Sequence, residues 1–256
     1  MSESLDPFAR FRMATRARIG LGRCGDSLPT AALLEFELAH ARARDAVHSR
    51  VDFEAIAATL APLPVVFAHS AAADRAAYLR RPDLGRRLDD DGRARLEALP
   101  RGEKAWDIVF VIADGLSATA VSVNAVPTLR ACLARLPKDW TVGPVVLAAQ
   151  ARVAFGDDAA HALGAKMVAI LIGERPGLSV SDSLGIYLTF DPRPGRLESE
   201  RNCISNIHGD GLSADEAAFK LAWLAGEARR RGLTGIGLKD ESPALLDAEP
   251  RAPRLS

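Results

Sequence analysis

The chain has 256 residues, 48% of them apolar and 5% aromatic, with 33 basic and 33 acidic side chains that cancel to zero net charge. That length buries a substantial core, and the balanced charge gives no support to nucleic-acid binding. Three widely spaced cysteines, Cys24, Cys132 and Cys203, contain no CxxC pair, which argues against a disulfide framework or a structural zinc site. No apolar run approaches the roughly 18 residues that a membrane span needs.

The N-terminus carries Arg10, Arg12, Arg16, Arg18 and Arg23 without an apolar segment behind them, so it does not read as a secretory signal. These arginines run straight into RIGLGRCGDSLPT, which has the look of ordered chain rather than of a transit peptide. SLPTAALLEFELAHARARDAVHSRVD then reads as a helix, with Ser27 as candidate N-cap and Pro29 in the first turn. Ala31, Leu34, Leu38 and Ala41 recur at helical spacing, which predicts one stripe facing a core. Shorter helices are expected over 52–60 and 74–79, a short strand in PLPVVFAHS, and a polar, turn-rich connection over 81–91.

From Trp106 the pattern changes. WDIVFVIADG is a continuous apolar run ending at Asp114 and Gly115, as in a strand buried on both faces. A helical stretch from Ser117 to about Leu136 follows, interrupted by Pro127, and then PVVLAAQ, a short polar helix over 156–163, and KMVAILIG. Strand and helix alternating in this way predict a parallel sheet with crossovers. LGIYLTF adds a strand, and Ser213 with Glu216 forms a capping-box pattern for a helix ended by Arg229–Arg231 and Gly232. The tail beyond Asp240 reads as frayed. The expected fold class is α/β: a helical N-terminal region over 1–100, then a Rossmann-like, mainly parallel sheet domain over 101–256.

Ligands of open α/β sheets sit beyond the carboxyl ends of the strands. Three such ends are candidates: 114–117, 150–156 and 173–177. Asp114 after an apolar strand fits a metal-dependent phosphotransfer site, or simply a tight turn at Gly115 with Ser117 capping the helix. GxGxxG and GxxxxGK[ST] are both missing, and GLGRCG lacks a preceding strand, so nucleotide binding is weakly supported. Cys203 and His208 admit a nucleophile–base pair or an inert thiol, and the other histidines show no ligand spacing. Glu174, beside Arg175, is either an ion-pair partner or an acceptor for amide N–H groups of a ligand.

Four blocks carry a resemblance: ARIGLGRCGDSLPT with ARDAVH; YLRRPDLGRRL; IVFVIADGLSATAV; and LIGERPGL through RNCISNI and AAFKLAWL to GIGLKD. Spanning about residues 17–240, they resemble the small (light) subunit of ethanolamine ammonia-lyase. The resemblance implies an adenosylcobalamin-dependent enzyme in which this subunit, with a Rossmann-like C-terminal part, covers one face of the corrin. The partner it implies is the large subunit, which holds ethanolamine. The family's cobalamin-site residues correspond to Val153, Glu174 and Cys203. The chemistry implied is cobalt–carbon homolysis, hydrogen abstraction from ethanolamine by the adenosyl radical, and release of acetaldehyde and ammonia. The DxHxxG motif of many cobalamin domains is missing, so no protein ligand to cobalt is expected. The resemblance leaves the substrate contacts to the large subunit, so no catalytic acid or base is named in this chain. Some members carry a longer N-terminal segment that aids packaging into a bacterial microcompartment; here about sixteen residues precede the first block. The expected location is the cytoplasm, with such a compartment as the alternative, and the Arg10–Arg23 segment is the expected contact with the large subunit. Two competing readings are a stand-alone phosphotransferase built on Asp114 and a non-catalytic adaptor.

Overall fold

The computed structural model describes residues 6–15, 17–100 and 105–242. Among the described residues six helices and one strand precede the apolar strands. Helix α1 spans Ala9–Ala14 and α2 Thr30–His48. Ser27 does not cap α2. It pairs with Cys24 in an isolated bridge, and Pro29, whose missing N–H costs nothing at a helix start, takes the N-cap position. The expected inward stripe is also corrected: Ala31, Leu34, Leu38 and Ala41 are all exposed, and the face turned inward is the small-residue row Ala32, Ala39, Ala43 and Ala46. Small side chains let the helix approach closely, so they displaced the leucines from the packed side.

Helix α3 (Phe53–Leu60) is capped by Asp52, which accepts from Ala55 N, and buries Ile56 and Leu60. Strand β1 (Val65–His69) lies within the first hundred residues yet pairs in parallel with a strand of the later region. Helices α4 (Arg75–Arg80), α5 (Pro82–Gly85) and α6 (Asp90–Glu97) follow, so the 81–91 connection contains helix as well as turn.

Strand β2 (Val109–Ala113) is buried at every position, as its unbroken apolar run predicted. Ser117 caps α7 (Ala118–Ala120), a π-helical turn over Val121–Ala125 comes next, and α8 (Val126–Arg135) completes the stretch. Pro127 enters at the first turn of α8, where its missing N–H costs least. Strand β3 (Val145–Ala149), helix α9 (Phe155–Leu163) and strand β4 (Met167–Gly173) complete the crossovers. Helix α9 was expected to be polar, but it is almost wholly buried, Asp157 and Asp158 included. Strands β5 (Leu184–Phe190) and β6 (Asn202–Ile207) pair antiparallel, and α10 (Ala214–Arg231) opens with the Ser213–Glu216 box and closes at Gly232 with φ +70°. NCISNI, to which the sequence reading assigned no element, is therefore a strand. The tail beyond residue 242 lies outside the described residues.

The strands form one sheet in the order β1-β3-β2-β4-β5-β6, parallel from β1 to β4 and antiparallel at β5 and β6. One core, with Phe110, Ile112, Leu171 and Ile186, packs against α3, the π turn, α8 and α10. The other, with Val109, Val111, Val168 and Ile170, packs against α6 and α9. Because the chain leaves β2 for β3 on one side and then crosses to β4 on the other, the order reverses around β2. The crevice at such a reversal is where open α/β sheets hold ligands. Among the described residues no helix is long and apolar enough to cross a membrane.

Candidate functional site

The carboxyl ends of β2, β3 and β4 surround an open cleft of about 510 Å3, lined by Gly115, Leu116, Arg152, Val153, Glu174 and Tyr187 among others. Its floor depends on two glycines. A Cβ at Gly173 would lie 2.2 Å from Ser117 O, and one at Gly115, where φ is +56°, would lie 2.3 Å from Gly173 O. Only glycine lets the β2–α7 turn and the end of β4 meet backbone to backbone.

Val153 and Glu174 both line this cleft. The Glu174 backbone N–H donates to Ser183 O at 2.9 Å, pinching the base of the excursion between β4 and β5. Its Oε2 accepts from Ser183 Oγ at 2.5 Å and from Asn206 N at 3.3 Å. Among the described residues both hydrogen bonds to the carboxylate fall on Oε2, so Oε1 keeps its acceptor capacity. Gly185 leaves room for this arrangement, since a Cβ there would come within 2.9 Å of Oε1. The excursion is pinned from the far side by Ser117 Oγ donating to Ser181 O (2.7 Å) and Asn124 Nδ2 donating to Asp182 O (2.8 Å). Asn124 sits on the π turn, a helical irregularity often found at functional sites.

Cys203 does not line the same cleft. It lies one strand beyond, on β6, with its Cα opposite that of Tyr187, and Tyr187 is a cleft residue. Cys203 is exposed; burial on its protein side still pushes the thiol up, the Tyr187 hydroxyl hydrogen-bonded to it opposes that, and the Glu174 charge adds to it. Tyr187 is raised as well, chiefly by burial and then by Cys203 and Glu174. Glu174, Tyr187 and Cys203 are thus electrostatically linked. The alternative Cys203–His208 pair is not formed. His208 Nε2 donates to Asn206 Oδ1 at 2.9 Å and Nδ1 accepts from Asp210 N at 3.3 Å.

Asp114 has a structural job. Its Oδ2 accepts from Gln150 N (2.9 Å) and its Oδ1 from Ala151 N (3.0 Å), with Arg75 Nη1 3.6 Å from Oδ2. Burial nevertheless pushes its carboxyl up, against those donors. Ser117 caps α7 by accepting from Ala120 N at 3.0 Å, as the turn-and-cap reading of this segment required. Among the described residues no group of three or more His, Cys, Asp and Glu could hold a metal ion. Gln150 (φ +54°) and Asn206 (φ +65°), two non-glycine residues in the left-handed region, flank the site. Such conformations cost free energy and tend to collect where a ligand is held.

Sequence reasoning did not single out Tyr78, Arg86 and Glu198, which also line the cleft, and it took in Arg152 only as part of the 150–156 strand end. Tyr78 and Arg86 sit in the YLRRPDLGRRL block, but nothing local marks them as site residues, because α4, α5 and the turn before β6 meet only in the fold.

Residues 5–239 match the family model described as "Ethanolamine ammonia-lyase light chain (EutC)". The chain is 54% identical over 250 residues to the ethanolamine ammonia-lyase small subunit of Bradyrhizobium diazoefficiens, covering 96% of this chain and 94% of that protein. It is 52% identical over 248 residues to the protein so named in Rhodopseudomonas palustris, again covering 96% and 94%. With that of Xanthomonas campestris pv. campestris the identity is 51% over 261 residues, covering 97% and 94%. On a match that runs along nearly its whole length, the chain belongs to the ethanolamine ammonia-lyase light-chain family.

Proposed function

We propose that this chain is the cofactor-binding subunit of an ethanolamine ammonia-lyase, holding adenosylcobalamin against a large subunit that binds ethanolamine. The observation that carries this reading is the cleft itself. Val153 and Glu174 line it together, at the carboxyl ends of the parallel strands, and Cys203 adjoins it through Tyr187.

The residues present suit a corrin. Its rim carries primary amides, and Glu174 is a carboxylate with one oxygen oriented by Ser183 and Asn206 and the other able to accept from an amide N–H. Val153, Leu116 and Ile172 offer apolar contact, while Gly115 and Gly173 allow close backbone approach. The cleft is open, which suits a large ligand whose other side is covered by a partner. When bound, the cofactor supplies the radical chemistry that carries ethanolamine to acetaldehyde and ammonia. This chain's residues bind and orient: Glu174 fixes the amide rim, Val153 meets the macrocycle, and Cys203 completes the wall beyond Tyr187.

The large-subunit partner is supported by the N-terminal helices. Among the described residues, eight of the fifteen exposed large apolar side chains, from Phe8 to Leu38, lie on or beside α1 and α2. A 19-residue helix that buries only Ala46 is poorly held by its own chain. That face, together with the arginines between Arg10 and Arg23, is our proposed contact with the large subunit. The location proposed is the cytoplasm, with a bacterial microcompartment as the alternative.

The test is an optical titration of the assembled two-subunit complex with adenosylcobalamin, comparing wild type with Glu174→Ala. Loss of one charge-assisted hydrogen bond predicts about a tenfold weaker affinity. Equal affinity in a fully assembled variant contradicts the role given to Glu174.

A further inference from the structure

We infer that Tyr78 is a positioning residue for the cofactor cleft, clamping the Gln150–Val153 loop to α4 and α5; the inference rests on the cobalamin-site reading above. Tyr78 is 1% exposed and lies on α4, far from Val153 in sequence. Two guanidinium groups meet its ring, Arg75 at 4.7 Å and Arg152 at 4.6 Å from the centroid. Its hydroxyl donates to Ala151 O at 3.3 Å. In return, Arg152 Nη2 donates to Tyr78 O at 3.2 Å and Arg152 N to Gly85 O at 2.8 Å. Residues 151 and 152, which immediately precede Val153, are therefore tied to α4 and α5 by three hydrogen bonds and a cation–π contact.

The other side of the loop is fixed by Asp114, and Arg75 links the two sides. Asp114 accepts from the backbone N–H groups of Gln150 and Ala151, and Arg75 Nη1 donates to Gly115 O at 2.9 Å. Gln150 is held at φ +54° between the two sets of contacts. A residue needed only to fill volume would not bring two cations with it. Arg75 Nη2 and Arg152 Nε are buried without hydrogen-bond partners. That desolvation opposes folding, and cation–π attraction to a shielded ring offsets part of it. The product of the arrangement is a single placement for Val153 and Arg152 on the cleft wall.

Gly85 offers a gentle way to disturb the clamp. A Cβ there would lie 2.9 Å from Tyr78 Cδ2 and 3.1 Å from Arg152 Cγ, with every polar partner left in place.

The experiment titrates adenosylcobalamin into assembled complexes carrying wild type, Tyr78→Phe, Tyr78→Leu or Gly85→Ala. The ethanolamine KM at saturating cofactor and the melting temperature are measured alongside. Tyr78→Leu, which removes both cation–π contacts and the hydroxyl, is expected to weaken cofactor affinity about tenfold. Tyr78→Phe keeps the ring and should weaken it by about threefold at most. Gly85→Ala should weaken it by about threefold, and it decides the matter if Tyr78→Leu fails to assemble. The ethanolamine KM should stay unchanged throughout. Unchanged cofactor affinity in the assembled variants overturns the inference. So does a parallel change in cofactor affinity, KM and melting temperature, the mark of a general structural defect. A wild-type complex that takes up no cobalamin overturns the underlying functional reading as well, and so is told apart from failure of the clamp alone.

Discussion

Cys203 links the chemistry of the cleft to a measurable reactivity. Burial, and then the nearby Glu174 charge, hold its thiol above the ordinary value near 9, despite the opposing hydrogen bond with Tyr187. Alkylation requires the thiolate, so in a Cys24→Ser background the rate should be slow at neutral pH and still climbing beyond pH 9. Cys132, buried and pushed up to about 12, should contribute little. Saturating adenosylcobalamin in the complex should slow the reaction at Cys203 by about tenfold or more if the cofactor covers it. Equal rates with and without cofactor, followed by mass spectrometry, would count against a cofactor contact. At this scale the sequence was partly informative. A carboxylate after the apolar run MVAILIG pointed to Glu174 as a strand-end acceptor; Val153 was only part of the 150–156 strand end and Cys203 an undecided thiol, and their cofactor role came through family resemblance. The Tyr78 clamp was invisible, since it assembles side chains from separate segments and no spacing rule connects them.

Among elements, the informative contrast lies between β2 and β6. Strand β2 is buried at all five positions and its apolar run declared it; β6 is an edge strand whose Cys203, Ser205 and Asn206 are exposed, so only Ile204 and Ile207 carried a signal. Placement of β6 depends on a buried ion pair just before it. Arg201, 1% exposed at its side chain, pairs with Asp157 of α9, 2% exposed, and also with Glu198 of the cleft wall at 2.9 Å. The pair joins the start of the Cys203 strand to the helix that follows the Val153 loop. Arg201→Met should cost about 3–5 kcal/mol in chemical denaturation, because it strands the Asp157 carboxyl in the interior. Burial already pushes that carboxyl up, against the Arg201 guanidinium. Adding Asp157→Leu should restore much of the loss, and a single-variant cost under about 1 kcal/mol would show that the pair does not hold the two elements together. Helix α2 teaches the opposite lesson. Its apolar period was real, yet the leucines face outward, because periodicity reports that a face is apolar and not which surface covers it.

At the scale of the whole molecule, a parallel sheet reversing around β2 creates the cleft, and a weakly buried N-terminal pair of helices presents apolar surface. Both features make sense for a chain completed by a partner: the cleft is open where a second subunit would close it, and α1 and α2 lack enough cover of their own. The architecture was largely legible, since alternating apolar strands and capped helices fix a parallel α/β sheet. The partner came from the family resemblance, but the apolar surface left on α1 and α2 was not legible, because exposure is a property of the folded surface. The most direct measurement is acetaldehyde release from ethanolamine by this chain, its cognate large subunit and adenosylcobalamin, with each component omitted in turn. The account predicts activity only in the complete mixture. Full activity without this chain, or none from a verified cofactor-loaded complex, would contradict it.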